Sequence, residues 1–122
     1  HITAPVWIKA EEPAHPLAAA LGGKSFEVTD EIYMFRSPPY SRDKLRVLLS
    51  IDLSKTKDPE KRPDKDYAIS WIREYGKGRV FYCSLGHASA PYCNPIVLQH
   101  YLAGIQFAIG DLKADAAPSA RK

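Results

Sequence analysis

Two segments rich in β-branched and aromatic residues, joined by a short glycine-containing linker, constrain the fold more than any other feature of the sequence. They are Tyr67–Tyr75 (YAISWIREY) and Arg79–Leu85 (RVFYCSL), separated by Gly76-Lys77-Gly78. Strands favour such side chains, and glycine adopts the positive φ angles that a tight hairpin turn needs. The pattern therefore predicts a β-hairpin.

Three further segments have the pattern of strands. Val6–Ala10 (VWIKA) predicts a short strand. Phe26–Phe35 (FEVTDEIYMF) alternates between apolar and polar residues, as in a strand with one buried face, and Asp30 interrupts its apolar face. Val47–Leu53 (VLLSIDL) is almost continuously apolar, which is typical of a central strand that is covered on both faces.

Two segments carry helix signals. Asn94 is a favoured N-cap residue, Pro95 suits the first turn, and Gly110 is placed to end the helix. The apolar residues of this helix form one stripe, composed of Leu98, Tyr101, Leu102, Ile105, Ala108 and Ile109. A shorter helix is predicted to start at Pro16 and to end at Gly22.

Strands combined with an amphipathic helix indicate a layered α/β domain in which helices cover a mixed sheet. A chain of 122 residues fits one such domain, which we place at residues 1–112. Residues 113–122 are small and polar, and we expect them to form a flexible tail. Five strands with one long helix leave one sheet face largely uncovered, so a second chain or a missing segment is expected to cover it.

Charge and hydropathy patterns exclude several classes of function. The 17 Lys and Arg residues and the 14 Asp and Glu residues are mixed along the chain, so no basic stripe exists for binding nucleic acid. The densest charge cluster, Ser54–Asp66, has the composition of a solvated loop. No run approaches the ~18 apolar residues of a membrane span. Because residue 1 is His1 rather than Met, we expect a processed or partial chain, and the compartment stays open.

Motifs for common cofactors are absent. The sequence contains no GxGxxG, Walker, GxSxG or HExxH motif, so no nucleotide cofactor is expected. Cys83 and Cys93 lack the paired spacing of a zinc site, and their separation allows a disulfide without requiring one. Cys83 shares a strand face with Phe81 and Leu85, which favours a buried thiol over a nucleophile.

An acidic pair inside an apolar strand is the first candidate for a functional site. Asp30 and Glu31 form this pair, and Tyr33 and Arg36 follow just beyond it. A buried acidic pair must be matched by hydrogen bonds or by a cation, and such sites are often functional. The alternative is that Asp30 ends or bends the strand while Glu31 only faces solvent.

A histidine at a strand end is the second candidate. His87 follows a strand and Gly86, at the position where open α/β sheets place ligand-contacting groups. It could act as a general base, a metal ligand or an orienting donor, or it could only cap the next loop. From the residues alone, His15 and His100 are expected to be structural or exposed, because neither has a candidate metal ligand nearby in the sequence.

Several of these segments, in this order, resemble the ThuA-like (trehalose utilisation) family. They are HPL, FEVTDEIYMFR, VLLSIDL, ISWIREYGKGRVFYCSLGH and NPIVLQHYLAGIQFAIGDL. The resemblance covers nearly everything from Val6 to Leu112, and its most specific parts are Asp30–Tyr33 and Trp71–His87. It implies a flavodoxin-like three-layer fold, related to class I glutamine amidotransferase domains, and a role in bacterial carbohydrate metabolism. The chain is similar to the C-terminal half of the family domain.

The resemblance also implies roles for particular residues. His87 and Glu31 are the candidates for catalysis, and a divalent metal is one candidate cofactor. The residues expected to bind substrate are Asp30, Tyr33, His15 and Arg36. Amidotransferase activity is not expected, because Ala88 and Ser89 follow the histidine where the amidotransferase motif continues His-x-Glu.

Two functions follow as hypotheses. The first is an enzyme, or part of one, that acts on trehalose, a related disaccharide or a keto-sugar, with His87 as general acid/base and Glu31 as its partner or as a metal ligand. The second is a non-catalytic sugar-binding or assembly module of the same fold. An inert fragment stays open as a third interpretation, and both a cytoplasmic and a periplasmic location in a bacterium are compatible with the sequence.

Overall fold

The computed structural model describes residues 2–119 of the chain. The strands are β1 (Ile2–Ala10), β2 (Phe26–Ile32), β3 (Arg46–Ile51), β4 (Ala68–Tyr75) and β5 (Gly78–Cys83). The helices are α1 (Pro95–Ile109) and two short 3₁₀ helices, Pro16–Leu21 and Ala90–Cys93. The predicted hairpin, the three other strands and the long helix are therefore confirmed, with ends that shift by a few residues.

The five strands form one curled sheet in the order β2-β1-β3-β4-β5, with β3 in the centre as predicted. All four strand pairings are antiparallel, so the expected mixed sheet is wrong for the part of the chain that the structure describes. The reason lies in the connections. Parallel neighbours need a crossover connection, whereas β4 and β5 are joined directly by a tight turn and no α-helix lies between β1 and β5. Residues 2–119 thus show no flavodoxin-like three-layer arrangement.

The main core lies between the sheet and the helices. Ile8, Ile69 and Ile72 are fully buried in it, and α1 contributes Val97 and Phe107. A second, smaller cluster contains Tyr40, Leu45, Val47 and Ala68, with Phe35 and Trp71 packed against it. Apolar side chains therefore support the sheet on both faces, as the continuous apolar run of β3 indicates.

Helix α1 begins and ends as the sequence predicts. The Asn94 side chain accepts a hydrogen bond of 2.9 Å from the backbone N–H of Ile96, and Gly110 adopts a left-handed φ of 92°. The predicted apolar stripe, however, is not the buried face. The residues that α1 buries are Val97, His100, Gly104 and Phe107, while the exposed ones are Leu98, Leu102, Ile105 and Ile109.

Two histidines hold the first 3₁₀ helix in place. His15 precedes it and accepts a hydrogen bond of 3.2 Å from the backbone N–H of Leu17 at Nδ1. His100 of α1 is 1% exposed, and its Nδ1 lies 2.6 Å from the Leu17 carbonyl while its Nε2 lies 2.8 Å from the Ser70 hydroxyl. His100 therefore joins α1, the 3₁₀ helix and β4, which confirms the structural interpretation of this residue.

The segment after α1 returns to the sheet. The backbone N–H of Ser119 donates to the Leu45 carbonyl at 2.9 Å, and the Ser119 hydroxyl accepts from the backbone N–H of Val47 at 2.9 Å. His15 Nε2 lies 2.9 Å from the Asp115 carbonyl. The flexibility predicted for residues 113–122 stays a prediction, and residues 120–122 lie outside the described range. No helix in residues 2–119 is long and apolar enough to cross a membrane.

Candidate functional site

The structure brings together the two residues predicted to be catalytic. Glu31 lies near the end of β2, and His87 lies in the segment that follows β5. The distance from His87 Nδ1 to Glu31 Oε2 is 3.0 Å. The Glu31 side chain is 16% exposed and the His87 side chain 63% exposed, so the imidazole is open to solvent while its partner is largely covered. The curl of the sheet makes this contact possible, because β2 and β5 are its two edge strands.

The Glu31 contact bears on how the imidazole can react. The 3.0 Å distance lets Nδ1 of His87, when it carries the ring proton, donate to the Glu31 carboxylate, which only accepts hydrogen bonds. In the neutral imidazole, Nε2 then keeps its lone pair and can accept a proton from a bound molecule. The pair therefore has the arrangement of a general base that is oriented by a carboxylate.

Asp30 sits beside this pair but does not face solvent. It is 1% exposed, and both oxygens of its carboxylate accept hydrogen bonds from backbone N–H groups. Gly86 donates to Oδ2 at 2.5 Å and Ala88 donates to Oδ1 at 2.8 Å. The resemblance implies a substrate ligand at Asp30, and that role stays a prediction; the structure shows a buried carboxylate bound to the two residues that flank His87.

The turn that carries His87 has further supports, which sequence reasoning missed. The Tyr101 hydroxyl donates to the Leu85 carbonyl at 2.5 Å. Gly86 has a φ of 116°, and a Cβ atom added there would lie 2.4 Å from the Tyr92 hydroxyl. A side chain is therefore disfavoured at position 86 by both conformation and space. The tyrosines carry no local pattern that links them to residue 87, so only the fold reveals their role.

Of the other residues predicted to bind substrate, some lie near Glu31 and His87 in the fold and others lie far from them. Tyr33 directly follows β2 and is 48% exposed. His15 lies beyond the opposite end of β1, since Thr3 pairs with Glu31 while His15 follows Ala10. Arg36 forms a 3.7 Å ion pair with Glu60 in the loop before β4, and its side chain is 78% exposed. The structure thus places Tyr33 near Glu31 and separates His15 from it.

Aromatic side chains line the sheet face beside Tyr33. Trp71 and Tyr82 are cross-strand partners whose rings stack with centroids 5.0 Å apart. Phe35 packs edge-on against Tyr82 with centroids 5.3 Å apart. Burial raises the pKa of Tyr82, and the neighbouring Cys83 and Tyr33 raise it further. A partly exposed aromatic surface therefore lies close to Tyr33.

Cys83 does not have the environment of a nucleophile. Both are free thiols, and burial raises the pKa of Cys83 to about 11. The thiolate is the reactive form, so Cys83 is unreactive near neutral pH, as its strand position predicts. Cys93 is exposed. Within residues 2–119, no group of three or more His, Cys, Asp or Glu side chains is arranged to hold a metal ion.

A second polar region, which the sequence analysis missed, lies elsewhere on the molecule. A cleft of about 610 Å³ is lined in part by Glu11, Tyr40, Arg42 and Asp66. Arg42 donates to Asp66 at 2.8 and 2.9 Å and to Glu11 at 3.0 Å. Burial acts to raise the pKa of Glu11, but hydrogen bonds from Arg42 and Ser50 outweigh it and the pKa is lowered. These groups satisfy one another, so we interpret the cleft as structural.

The comparison with protein families decides the identity at family level. The family model ThuA, described as trehalose utilisation, matches residues 1–108. This chain belongs to the ThuA family. Searches of curated proteins and of solved structures gave no match. Membership of the ThuA family supports a role related to trehalose utilisation in general, and the residues around Glu31 and His87 lie within the matched range.

Proposed function

We propose that this ThuA-family chain binds trehalose, a related disaccharide or a keto-sugar at the Glu31–His87 pair, and that His87 acts there as general acid/base. The observation that carries this proposal is the 3.0 Å contact between His87 Nδ1 and Glu31 Oε2. It leaves Nε2 of the solvent-exposed imidazole available for a proton of a sugar hydroxyl. Glu31 stabilises the imidazolium that forms when Nε2 takes that proton.

The surroundings of the pair support a sugar as the bound molecule. Tyr33 presents an exposed ring two residues beyond Glu31, and the partly exposed Tyr82 lies close to it. Aromatic rings offer apolar contact together with a polar hydroxyl, which suits the mixed polarity of a sugar ring.

The proposal is tested by calorimetric titration with trehalose and with a 3-keto-disaccharide, combined with chromatographic detection of products. We expect His87→Ala and Glu31→Gln to weaken sugar binding or slow turnover at least tenfold. Lys77→Ala, in the exposed turn between β4 and β5, is the matched control and should behave as wild type. Unchanged binding and turnover in both site variants would contradict the proposal. Saturable binding with no product would instead support the non-catalytic sugar-binding module.

A second candidate function, assembly, is favoured by the outer face of α1. Leu98, Leu102, Ile105 and Ile109 are 47–65% exposed, and residues 95–109 contain no charged side chain. A helix that is apolar on all sides is normally buried on all sides. We propose that this face packs against the N-terminal half of the family domain. In the same proposal, that half completes a flavodoxin-like three-layer fold.

Thiol labelling distinguishes the possible occupants of this face. Leu102→Cys in a Cys93→Ser background should react as an exposed thiol in the 122-residue chain and at least tenfold more slowly in a chain extended by the N-terminal half. Lys77→Cys is the control and should react equally in both. Equal labelling at position 102 in both chains would contradict the proposal. Protection in the 122-residue chain alone, with a dimer in light scattering, would identify a second copy as the occupant instead.

A further inference from the structure

We propose that Asp30 is a positioning residue, which holds the turn of residues 86–88 so that the His87 imidazole meets Glu31. This inference deepens the proposed function and rests on it only for what the positioned imidazole does. The carboxylate of Asp30 accepts from the backbone N–H of Gly86 at 2.5 Å and from that of Ala88 at 2.8 Å. These two residues flank His87 directly, so Asp30 fixes the backbone on both sides of the imidazole.

The arrangement of β2 explains why two consecutive residues can serve one turn. Side chains of consecutive strand residues point to opposite faces, so Asp30 and Glu31 project from opposite sides of β2. Both nevertheless contact residues 86–88. One edge of β2 pairs with β1, and the other edge is the free edge of the sheet. The turn therefore crosses that free edge, with its backbone held on one face and the His87 side chain held on the other.

Burial makes the Asp30 contact strong and specific. Asp30 is 1% exposed, so water cannot replace either backbone donor. Hydrogen bonds from N–H groups to a carboxylate are stronger than those between neutral groups. Asparagine at position 30 has one acceptor oxygen in place of two, and its amide group would face a backbone N–H that also donates. Asp30→Asn is therefore expected to release at least one side of the turn.

Nuclear magnetic resonance of the full chain tests the positioning role without any sugar. In wild type we expect slow hydrogen exchange at the amides of Gly86 and Ala88, and a nuclear Overhauser contact between the His87 ring and the Glu31 side chain. Asp30→Asn should speed exchange at one or both amides at least tenfold and remove the Overhauser contact. Glu31→Gln is the matched control and should leave both amides protected.

Trehalose titration adds a readout that a purely structural role would not give. If Asp30 acts through His87, Asp30→Asn should weaken trehalose binding to the same extent as His87→Ala, and the double variant should be no weaker than His87→Ala alone. Additive losses, or an intact His87–Glu31 contact in folded Asp30→Asn, would overturn the positioning role. Failure of wild type to bind trehalose would count against the proposed function alone, because the amide and Overhauser measurements would still report on Asp30.

A second variant covers the case in which Asp30→Asn does not fold. Gly86→Ala keeps Asp30 intact and displaces the turn from the other side, because φ is 116° there and the added Cβ would meet the Tyr92 hydroxyl. We expect it to weaken the His87–Glu31 Overhauser contact as well. A full-strength contact in Gly86→Ala, with both amides unprotected, would show that the imidazole is positioned without the turn and would overturn the inference.

Discussion

At the scale of single residues, His100 shows how a buried polar group supports the core around it. Burial lowers the pKa of His100 to about 4, against the partly opposing effect of the hydrogen bond to the Leu17 backbone. The neutral imidazole donates from Nδ1 to the Leu17 carbonyl and has the Ser70 hydroxyl at Nε2. Protonation would place a charge in an apolar region, so the folded state resists it.

This lowered pKa predicts an acid-dependent loss of stability. In the unfolded chain the pKa of His100 is the ordinary value of about 6.5, so the unfolded state binds the proton first. The contribution of the neutral His100 to the free energy of unfolding is complete above pH 6.5 and is lost as the pH drops from 6.5 to about 4. Below pH 4 no further loss comes from this residue, and the whole change amounts to about 3 kcal/mol. Urea unfolding from pH 4 to pH 7 measures it, and His100→Gln should show a flatter profile. Parallel profiles for both proteins would contradict the assignment.

The residues of the candidate site were only partly predictable from the sequence. Glu31 and His87 stand out locally, as a charge inside an apolar strand and as a histidine after a strand end. Their 3.0 Å contact depends on the meeting of two edge strands, which no local pattern encodes. The resemblance implied substrate binding at Asp30, which stays a prediction, whereas the burial of Asp30 and its backbone partners, 56 and 58 residues away, are properties of the fold that no local pattern shows.

At the scale of elements, local signals were sufficient for the type of each strand and of α1 and for the ends of the hairpin and of α1, but not for the orientation of α1. The Gly76-Lys77-Gly78 turn and the Asn94 cap gave the hairpin and α1 nearly at their observed ends. The prediction of the buried face of α1 was wrong, because no charged residue marks the solvent side of this helix. The face that packs inward contains Gly104, which a search for apolar residues overlooks. Close approach, rather than apolar volume, selects that face.

The packing of α1 on β5 predicts the effect of filling this position. A Cβ atom at Gly104 would lie 2.4 Å from ring atoms of Phe81. Gly104→Ala should therefore destabilise the protein by about 1–2 kcal/mol, although alanine has the better helix propensity by about 1 kcal/mol. Urea unfolding provides the measurement, and Gln99→Ala on the exposed side should change stability by no more than about 0.5 kcal/mol.

A double-variant comparison separates the clash from other causes. Phe81→Leu removes the ring that the new methyl group would meet, so Gly104→Ala should cost less in that background than in wild type. Equal costs in the two backgrounds, or a Gly104→Ala protein more stable than wild type, would mean that the ring of Phe81 moves aside and that helix propensity decides the result.

At the scale of the whole molecule, long-range contacts account for what the sequence could not show. The curl of the antiparallel sheet brings the end of β2 to the turn after β5, and the chain after α1 returns to β3. Sequence periodicity reports on each strand and helix separately, whereas these contacts join segments that are 50 to 70 residues or more apart. The fold class was therefore predictable as α/β, while strand direction and site geometry were not.

The segment after α1, residues 113–119, either packs against the sheet as part of the domain or behaves as a flexible tail, and truncation distinguishes the two. Removal of residues 113–122 would leave the backbone N–H of Val47 and the carbonyl of Leu45 without the partners that Ser119 provides. It would also remove the Arg46 hydrogen bond to the Ala117 carbonyl and the His15 hydrogen bond to the Asp115 carbonyl. At about 1 kcal/mol for each of these four hydrogen bonds, we expect a loss of about 4 kcal/mol in the free energy of unfolding.

The matched control is a chain that ends at Ser119, which keeps all of these contacts. Its stability should stay within about 0.5 kcal/mol of wild type, because removal of the last three residues breaks none of the hydrogen bonds described above. Thermal and urea unfolding of the two truncated chains give the comparison. If both truncations were as stable as wild type, residues 113–119 would behave as the flexible tail that their composition predicts. A loss confined to the longer truncation would instead show that this segment is part of the domain, because the β3 backbone depends on it.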